Sequence, residues 1–545
     1  MPENAYTRAL STPIPQSVQA DSRQVPNSAG GFTFEVNDKD RLERILILGT
    51  ERGTYYVDEK KLTDSSIAFI KSLIERDEQL VIDTVRDVSV SGRAFRNSNA
   101  IFVTAMLFAY GKVKPNSLVQ DVCRIGTHIF EFATYIELLG GWGRAKRSAV
   151  AEWFTSKPVD KLAYDAVKYR QRDGWTHRDL ARLAHPTGLE LHVGRFVTGR
   201  PAPDHGEEIP VIAGFKEMQK ADTVTKVLAT LAFYPMLPWE AIPTEHLKNV
   251  DVWKQLFYNK ALNGQALVRN ITRLARIGAF NDMVFTRAYA DRLTDVEMIK
   301  RTRLHPINFL QALNVHTEGQ MNRVSGSRTK DWITNPTLVD ALNAGFYKAF
   351  SFVEPTNKRT MIGLDVSGSM GGMCMNLNMS CAMVVAAMAM ATARVEPYYQ
   401  IYGFSDGTNR NGPVYYNSNS YNGSVLTDLG ISPNMNLSDV MRKTADQNFG
   451  RTDCALPMLA ALRDKVEVDT FIIYTDNETW CGNVHPHTAL KNYRQKMGID
   501  AKLAVVCCVP TQFTIADPTD RGMLDVVGAD SNLPKLIAEF SAGRI

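Results

Sequence analysis

The sequence predicts two architectures in one chain: an all-helical first part, then an α/β part on a doubly wound, mostly parallel sheet. Three observations predict this. At 545 residues the chain is long enough for two or three domains. From about residue 38 to 355, helix-like stretches are separated by polar, Gly or Pro breaks, and alternating strand patterns are few. After Pro355, short apolar runs alternate with helical ones, as in a parallel sheet with crossover helices.

Residues 1–30 are rich in Pro, Ser, Gln and Asn and read as a loose tail. Residues 31–357 read as the helical part, with helices over 64–75, 100–109, 144–154, 159–170, 216–232 and 262–277. Packed helical hairpins are the expected arrangement. A solenoid is one way to stack them, although no strict period recurs. The Pro- and Gly-containing stretch Gly194–Gly214 reads as a surface loop. Residues 358–545 read as the α/β part. Strands are expected over 360–366, 398–404, 469–475 and 501–509, and helices over 380–394, 453–464, 487–497 and 534–541. The stretch 408–424, dominated by Asn, Ser, Tyr and Gly, reads as an exposed loop.

Composition narrows the class. The chain is 44% hydrophobic and 22% charged, as expected of a water-soluble globular protein. No apolar run approaches the roughly 18–20 residues that a membrane helix needs. Met1-Pro2-Glu3-Asn4 lacks a charged start followed by an apolar core, so no secretory signal is expected. The seven Cys (123, 374, 381, 454, 481, 507 and 508) show no metal-ligand spacing and read as small core residues in a reducing, cytoplasmic setting. The net charge of +4 is asymmetric: residues 1–360 hold 48 Lys and Arg against 40 Asp and Glu, and the rest hold 14 against 18. A basic first part can attract a polyanion, but it is equally an ordinary solvated surface.

The acidic-hydroxyl motif Asp365-Val366-Ser367-Gly368-Ser369 follows the first strand of the α/β part, where such sheets bind ligands. One carboxylate and two hydroxyls are hard oxygen donors, suited to Mg²⁺ rather than Zn²⁺. Three side chains cannot fill an octahedral shell, so neighbouring strand ends must contribute. Thr452, before a helix, and Asp476, ending a strand, are the candidates. The competing reading is a helix N-cap turn. Asp453 reads as a cap for its own helix. No His or Glu is placed as an obvious general base for hydrolysis. The D-x-S-x-S … T … D order resembles the metal-ion-dependent adhesion site of von Willebrand factor A domains. That resemblance implies a divalent cation held by Ser367, Ser369 and Thr452, with Asp365 and Asp476 acting largely through water, and a position left for a partner's acidic group.

The densest basic stretch, Trp142–Pro186, carries ten Lys and Arg against five acids, with Trp142, Trp153, Tyr164, Tyr169 and Trp175 interleaved. Cations bind phosphate, and aromatic rings stack on bases. A helical hairpin with a solvated cationic face has the same composition, and composition leaves both open.

Longer motifs carry a resemblance to the TROVE family of RNA-binding proteins: Gly53-Thr54-Tyr55-Tyr56, Val122-Cys123-Arg124-Ile125, Trp142-Gly143-Arg144-Ala145, Lys168 through Leu180, Val353-Glu354-Pro355-Thr356, Thr475 through Thr479 and Phe513 through Pro518. The resemblance spans about residue 24 to the end. It implies a ring of HEAT-like helical repeats closed by a von Willebrand A domain. It also implies binding of Y-like noncoding RNA outside the ring, and of misfolded noncoding RNA through a single-stranded 3′ end in its hole. Lys168, Arg170, Arg172 and His185 match positions linked to Y RNA contact. Taken alone, His185 reads as a structural histidine. Gly194–Gly214 departs from the family pattern, 408–424 reads as an insertion, and the extended N-terminus has no counterpart.

The expectation is therefore a non-enzymatic ribonucleoprotein scaffold in noncoding RNA quality control, with Mg²⁺ in the A-type domain and a protein partner there, for example a ribonuclease. The alternative is a cation-dependent protein-adhesion scaffold whose basic patch is incidental. A metal-dependent nuclease is the third reading.

Overall fold

The computed structural model describes residues 13–49, 59–201, 203, 208–321, 328–351, 353–374, 379–406, 414–417, 424–445 and 450–545. The chain forms two compact units. One joins residues 1–67 with 350–545, and the other is 68–349.

In the helical unit, successive helices pack against near neighbours in sequence. Ser98–Tyr110 lies on Gly126–Leu138, Asn116–Val122 on Arg144–Thr155, and Pro306–Glu318 on Pro336–Lys348. Local chemistry sets the ends. Asp77 accepts from the Leu80 N–H and starts Glu78–Ser91. The single helix expected over 216–232 is two, Pro210–Gln219 and Val224–Phe233, because the Thr223 hydroxyl caps a fresh start at the Lys226 N–H. The stretch 262–277 also divides. Gly264, at φ +53°, opens Gln265–Arg269, and Asn270, whose side chain donates to the Ala266 carbonyl, separates it from Ile271–Arg276. Gly194–Gly214 is not simply a loop. Glu190 caps Leu191–Thr198 by accepting from the His192 and Val193 N–H groups, and Val193 and Val197 are buried one turn apart. The two ends of the unit meet: Arg303 donates to the Val90 carbonyl at 2.8 Å, and His305 lies 3.4 Å from the Arg93 carbonyl.

The other unit is built on a seven-stranded sheet in the order Met523–Val527, Lys502–Cys507, Thr470–Thr475, Thr360–Asp365, Tyr399–Asp406, Ser424–Thr427, Val414–Asn417. The first five are parallel and the last two antiparallel. Thr360–Asp365 and Thr470–Thr475 are buried throughout, as central parallel strands must be. The Ala- and Met-rich helix Cys381–Val395 is buried along most of its length. The 408–424 stretch, expected as one loop, contains the strand Val414–Asn417 and ends on the start of Ser424–Thr427; the rest lies outside the described residues.

The loose tail expected over 1–30 is corrected for its described part. Gln24–Pro26 and Phe32–Glu35 form an antiparallel sheet completed by Phe513–Thr514. The helix Asp38–Leu48 groups with the sheet unit. Its Arg44 is fully buried, donating to the Thr511 and Phe513 carbonyls and pairing with Asp525 at 2.5 Å. A buried guanidinium needs such partners, and nothing within residues 38–48 announces them.

Candidate functional site

The strand order changes direction at Thr360–Asp365. Tyr399–Asp406, next among the sheet strands in the chain, lies on one side and Thr470–Thr475 on the other. Ligands bind at such a switch point, beyond the carboxyl ends of the strands. Asp365 ends one central strand, and Asp476 follows the other. Ser367 and Ser369 lie in the tight turn after Asp365, which continues as a short 3₁₀ helix, Gly368–Gly371.

The structure brings the five expected cation ligands to one end of the sheet, all buried: Asp365, Ser367, Ser369, Thr452 and Asp476. Asp365 Oδ1 accepts from the Ser367 N–H at 2.9 Å and from its hydroxyl, and the Ser367 and Ser369 hydroxyls are 3.2 Å apart. The Glu478 N–H donates to Asp476 Oδ1 at 3.0 Å. The loop of Thr452 is joined to the motif by Gly368 N–H donating to the Gly450 carbonyl at 3.3 Å. Thr475 is a participant that the sequence reading missed: its hydroxyl donates to Asp365 Oδ2 at 2.7 Å. Its position as the last residue of a buried strand is the available signal.

Burial pushes the Asp365 carboxyl up, and hydroxyl and N–H donors from Ser367 and Thr475 offset this in part. Burial, then the charge of Asp365, pushes Asp476 well up. Hydroxyls, backbone N–H groups, Cys381 and other acids dominate the surroundings of the pair. Two buried carboxylates beside hydroxyl oxygens fit a hard divalent cation, which would supply the missing positive charge. Among the described residues no group of three His, Cys, Asp or Glu could by itself hold a metal ion.

Two further acids flank the set. Asp453, expected to cap its helix, does not: Ala455 is the N-cap of Leu456–Arg463 and no side chain caps it, while Asp453 Oδ1 accepts from the Ala455 N–H at 3.0 Å in the turn before the helix and from Gln16 Nε2 at 2.8 Å. Glu478 is 1% exposed, burial pushes its carboxyl up to about 7, and its Oε2 accepts from the Ala29 N–H. No Glu was expected so near.

In the helical unit, Lys168 ends Val159–Lys168, and Gln171–Arg172 pairs with Trp175–Thr176 as a two-stranded hairpin. Asp173-Gly174 turns it, at φ +52° and +83°, the left-handed pair that a two-residue hairpin turn requires. Thr176 and Asp179 form a capping box that opens the helix His177–Ala184. Lys168, Arg170 and Arg172 thus share a helix end and its hairpin. Lys168 Nζ lies over the rings of Tyr164 and Tyr169, at 5.6 and 5.3 Å. Arg170 stacks over Phe215 at 5.6 Å and donates to the Glu240 carbonyl at 3.4 Å. Arg172 faces solvent, with only the exposed Asp173 at 3.4 Å. His185 is exposed and caps the far end of His177–Ala184 at φ +52°, about 12 Å along the helix axis from the hairpin. His177, by contrast, is core: it packs edge-on to Phe130 at 4.7 Å, and burial pushes it down to about 3.

Comparisons with known proteins add to this geometry. The TROVE domain matches residues 25–200 and 237–318, and the Ro60 vWA domain matches 359–541. "RNA-binding protein RO60" of Deinococcus radiodurans is 37% identical over 97% of this chain and 98% of its own. The protein of that name from Caenorhabditis elegans is 31% identical over 96% of this chain and 90% of its own. The crystal structure of the Deinococcus radiodurans RO (RSR) protein superposes with a TM-score of 0.66 at 36% identity, covering 93% of this chain and all of that one.

Proposed function

The chain belongs to the Ro60 family of proteins that join a TROVE domain to a von Willebrand A domain, and from that premise we propose that it binds RNA as a ribonucleoprotein. The observation that carries this reading is the Asp173-Gly174 hairpin. It sets Arg172 in solvent beside the aromatic-flanked Lys168 and Arg170, where phosphate and bases can reach them. The proposed ligands are a structured Y-like noncoding RNA at Lys168, Arg170, Arg172 and His185, and misfolded noncoding RNA held by a single-stranded 3′ end within a ring of HEAT-like repeats. Support for a closed ring is the junction of residues 90–93 with 303–305. The role is noncoding RNA quality control, without catalysis, in the cytoplasm. No helix among the described residues is long and apolar enough to cross a membrane.

Asp365, Ser367, Ser369, Thr452 and Asp476 would hold a divalent cation, Mg²⁺ by donor chemistry. The ion would offer a coordination position to an acidic group of a protein partner, such as a ribonuclease. The test is purification of the full chain followed by crosslinking and sequencing of bound RNA. A 260/280 nm ratio that ribonuclease lowers, together with enrichment of one structured RNA class, is the expected result. Nucleic-acid-free protein that shows no gel shift with structured RNA refutes the reading and leaves the adhesion scaffold. RNA cleavage that stops on chelation would instead establish a nuclease.

A further inference from the structure

We propose that the N-terminal segment 15–31, through Gln16 and Asn27, is a strap that positions the loops carrying Thr452 and Asp476, so that divalent-cation affinity depends on the strap being seated. The inference rests on the cation reading of the site given above.

Gln16 is fully buried, and its side-chain partners lie more than 430 residues away in sequence. Its side chain uses all of its hydrogen-bonding capacity. Nε2 donates to Asp453 Oδ1 and to the Val484 carbonyl, each at 2.8 Å, while Oε1 accepts from the Thr479 hydroxyl and, at 3.4 Å, from the Gly482 N–H. Thr479 is the hub, because its hydroxyl oxygen also accepts from the Cys454 N–H at 3.1 Å. The loop it belongs to clamps the Thr452 carbonyl through the Trp480 and Cys481 N–H groups, at 3.2 and 3.3 Å. One amide thereby fixes residues on either side of Thr452's loop and of the loop that follows Asp476.

Asn27 makes a second anchorage. Its Nδ2 donates to the Thr479 carbonyl at 2.8 Å, its Oδ1 accepts from the Gly31 N–H at 2.7 Å, and the adjacent Ala29 N–H donates to Glu478 Oε2 at 2.9 Å. Gly31 shows how tight the seam is: a Cβ there would stand 2.0 Å from the Thr479 carbonyl oxygen. None of these contacts is to a proposed ligand. The strap's contacts to the sheet unit are to residues one to eight positions away from Thr452 or Asp476, which is the geometry of positioning rather than coordination. Linkage is reciprocal, so a strap that favours the cation-competent loops must in turn be stabilised by the cation.

The test uses the full chain and Mg²⁺ alone. Calorimetric titration compares the wild type with Gln16→Leu, which removes the amide, and Gln16→Glu, which keeps the shape but sets a carboxylate against Asp453. At least a tenfold loss of Mg²⁺ affinity is expected for both. Limited trypsin cleavage after Arg23 provides a readout that needs no folded variant. Mg²⁺ should slow it several-fold in the wild type and leave it unchanged in Asp365→Ala. If the wild type binds no Mg²⁺, the cation reading falls and this inference with it. If the wild type binds Mg²⁺ while the Gln16 variants match it and cleavage ignores the ion, the strap inference alone is overturned.

Discussion

Replacing Lys168 and Arg172 together by Ala separates RNA recognition from folding. Arg172 is 47% exposed and its pairing with the equally exposed Asp173 is worth at most about 1 kcal/mol to the fold. Lys168 gives up cation–π contacts with Tyr164 and Tyr169 worth about 0.5–1 kcal/mol. The turn and the capping box remain, so the far-ultraviolet circular dichroism and the melting midpoint should change little. Binding should change a great deal. Each cation on a phosphate contributes a charge-assisted hydrogen bond, about 1–1.5 kcal/mol net at this exposure, so the pair contributes about 2–3 kcal/mol. That is roughly a 30- to 150-fold loss of affinity.

Salt dependence identifies the cause. Two lost phosphate contacts should lower the slope of log K against log salt by about 1.5 between roughly 50 and 200 mM. Gel-shift titrations of a structured Y-like RNA across that range read both quantities. An affinity and a slope equal to the wild type's, in a folded double variant, refute the assignment of the hairpin as the RNA surface. Arg170→Ala is the contrasting control, since its guanidinium also stacks on Phe215 and binds the Glu240 carbonyl, so stability should fall along with binding.

Gly174→Ala should weaken RNA binding through the backbone alone: nothing lies within 4 Å of the added methyl, but φ +83° strains it by about 1 kcal/mol, and heteronuclear NMR of residues 171–176 would show whether the hairpin is lost. His185→Gly should relieve the left-handed φ of +52° and raise the melting midpoint slightly while lowering affinity for Y-like RNA, and a gain in stability with unchanged affinity would make His185 a cap only. Burial pushes His128 and His177 down to about 3 and His305 and His316 to about 4, all in the helical unit. The unfolded chain takes up these protons below about pH 6.5 while the folded unit does not, so stability should be full above that pH and fall towards pH 4, with urea midpoints from pH 7.5 to 4.5 as the check.

Much of the A-type site was legible because its chemistry is local. Asp365, Ser367 and Ser369 share one turn, and Asp476 ends the strand that neighbours theirs, so strand order alone brings them together. The antiparallel strands Val414–Asn417 and Ser424–Thr427 were not legible, since each is only four residues long and the Asn- and Ser-rich run 417–424 that joins them reads as loop. The split helices were missed for a different reason. Thr223 and Asn270 act by capping or competing for single backbone groups inside apolar stretches whose periodicity continues across the break. The N-terminal segment was misread as a tail because Gln16, Gln24 and Asn27 are polar in composition yet buried in fact. Each has a partner more than 400 residues away, where no window of sequence can see it: Asp453 for Gln16, His485 for Gln24 and Thr479 for Asn27.

The same burial bears on whether the cation site could also cleave RNA. A hydrolytic centre needs a base that can reach a water and release its proton. Four acids surround this site, and each accepts at least one hydrogen bond. Asp365 accepts from the Ser367 N–H and the Thr475 hydroxyl, and Asp476 from the Glu478 N–H. Asp453 and Glu478 are bound by the strap, through Gln16 and Ala29. Glu478, whose carboxyl burial pushes up to about 7, is only 1% exposed with the strap seated. Docking needs only charge and an open coordination position, and catalysis needs a proton route besides. The seated strap therefore favours a docking role, and RNA cleavage by the wild-type chain that stops on chelation would refute this.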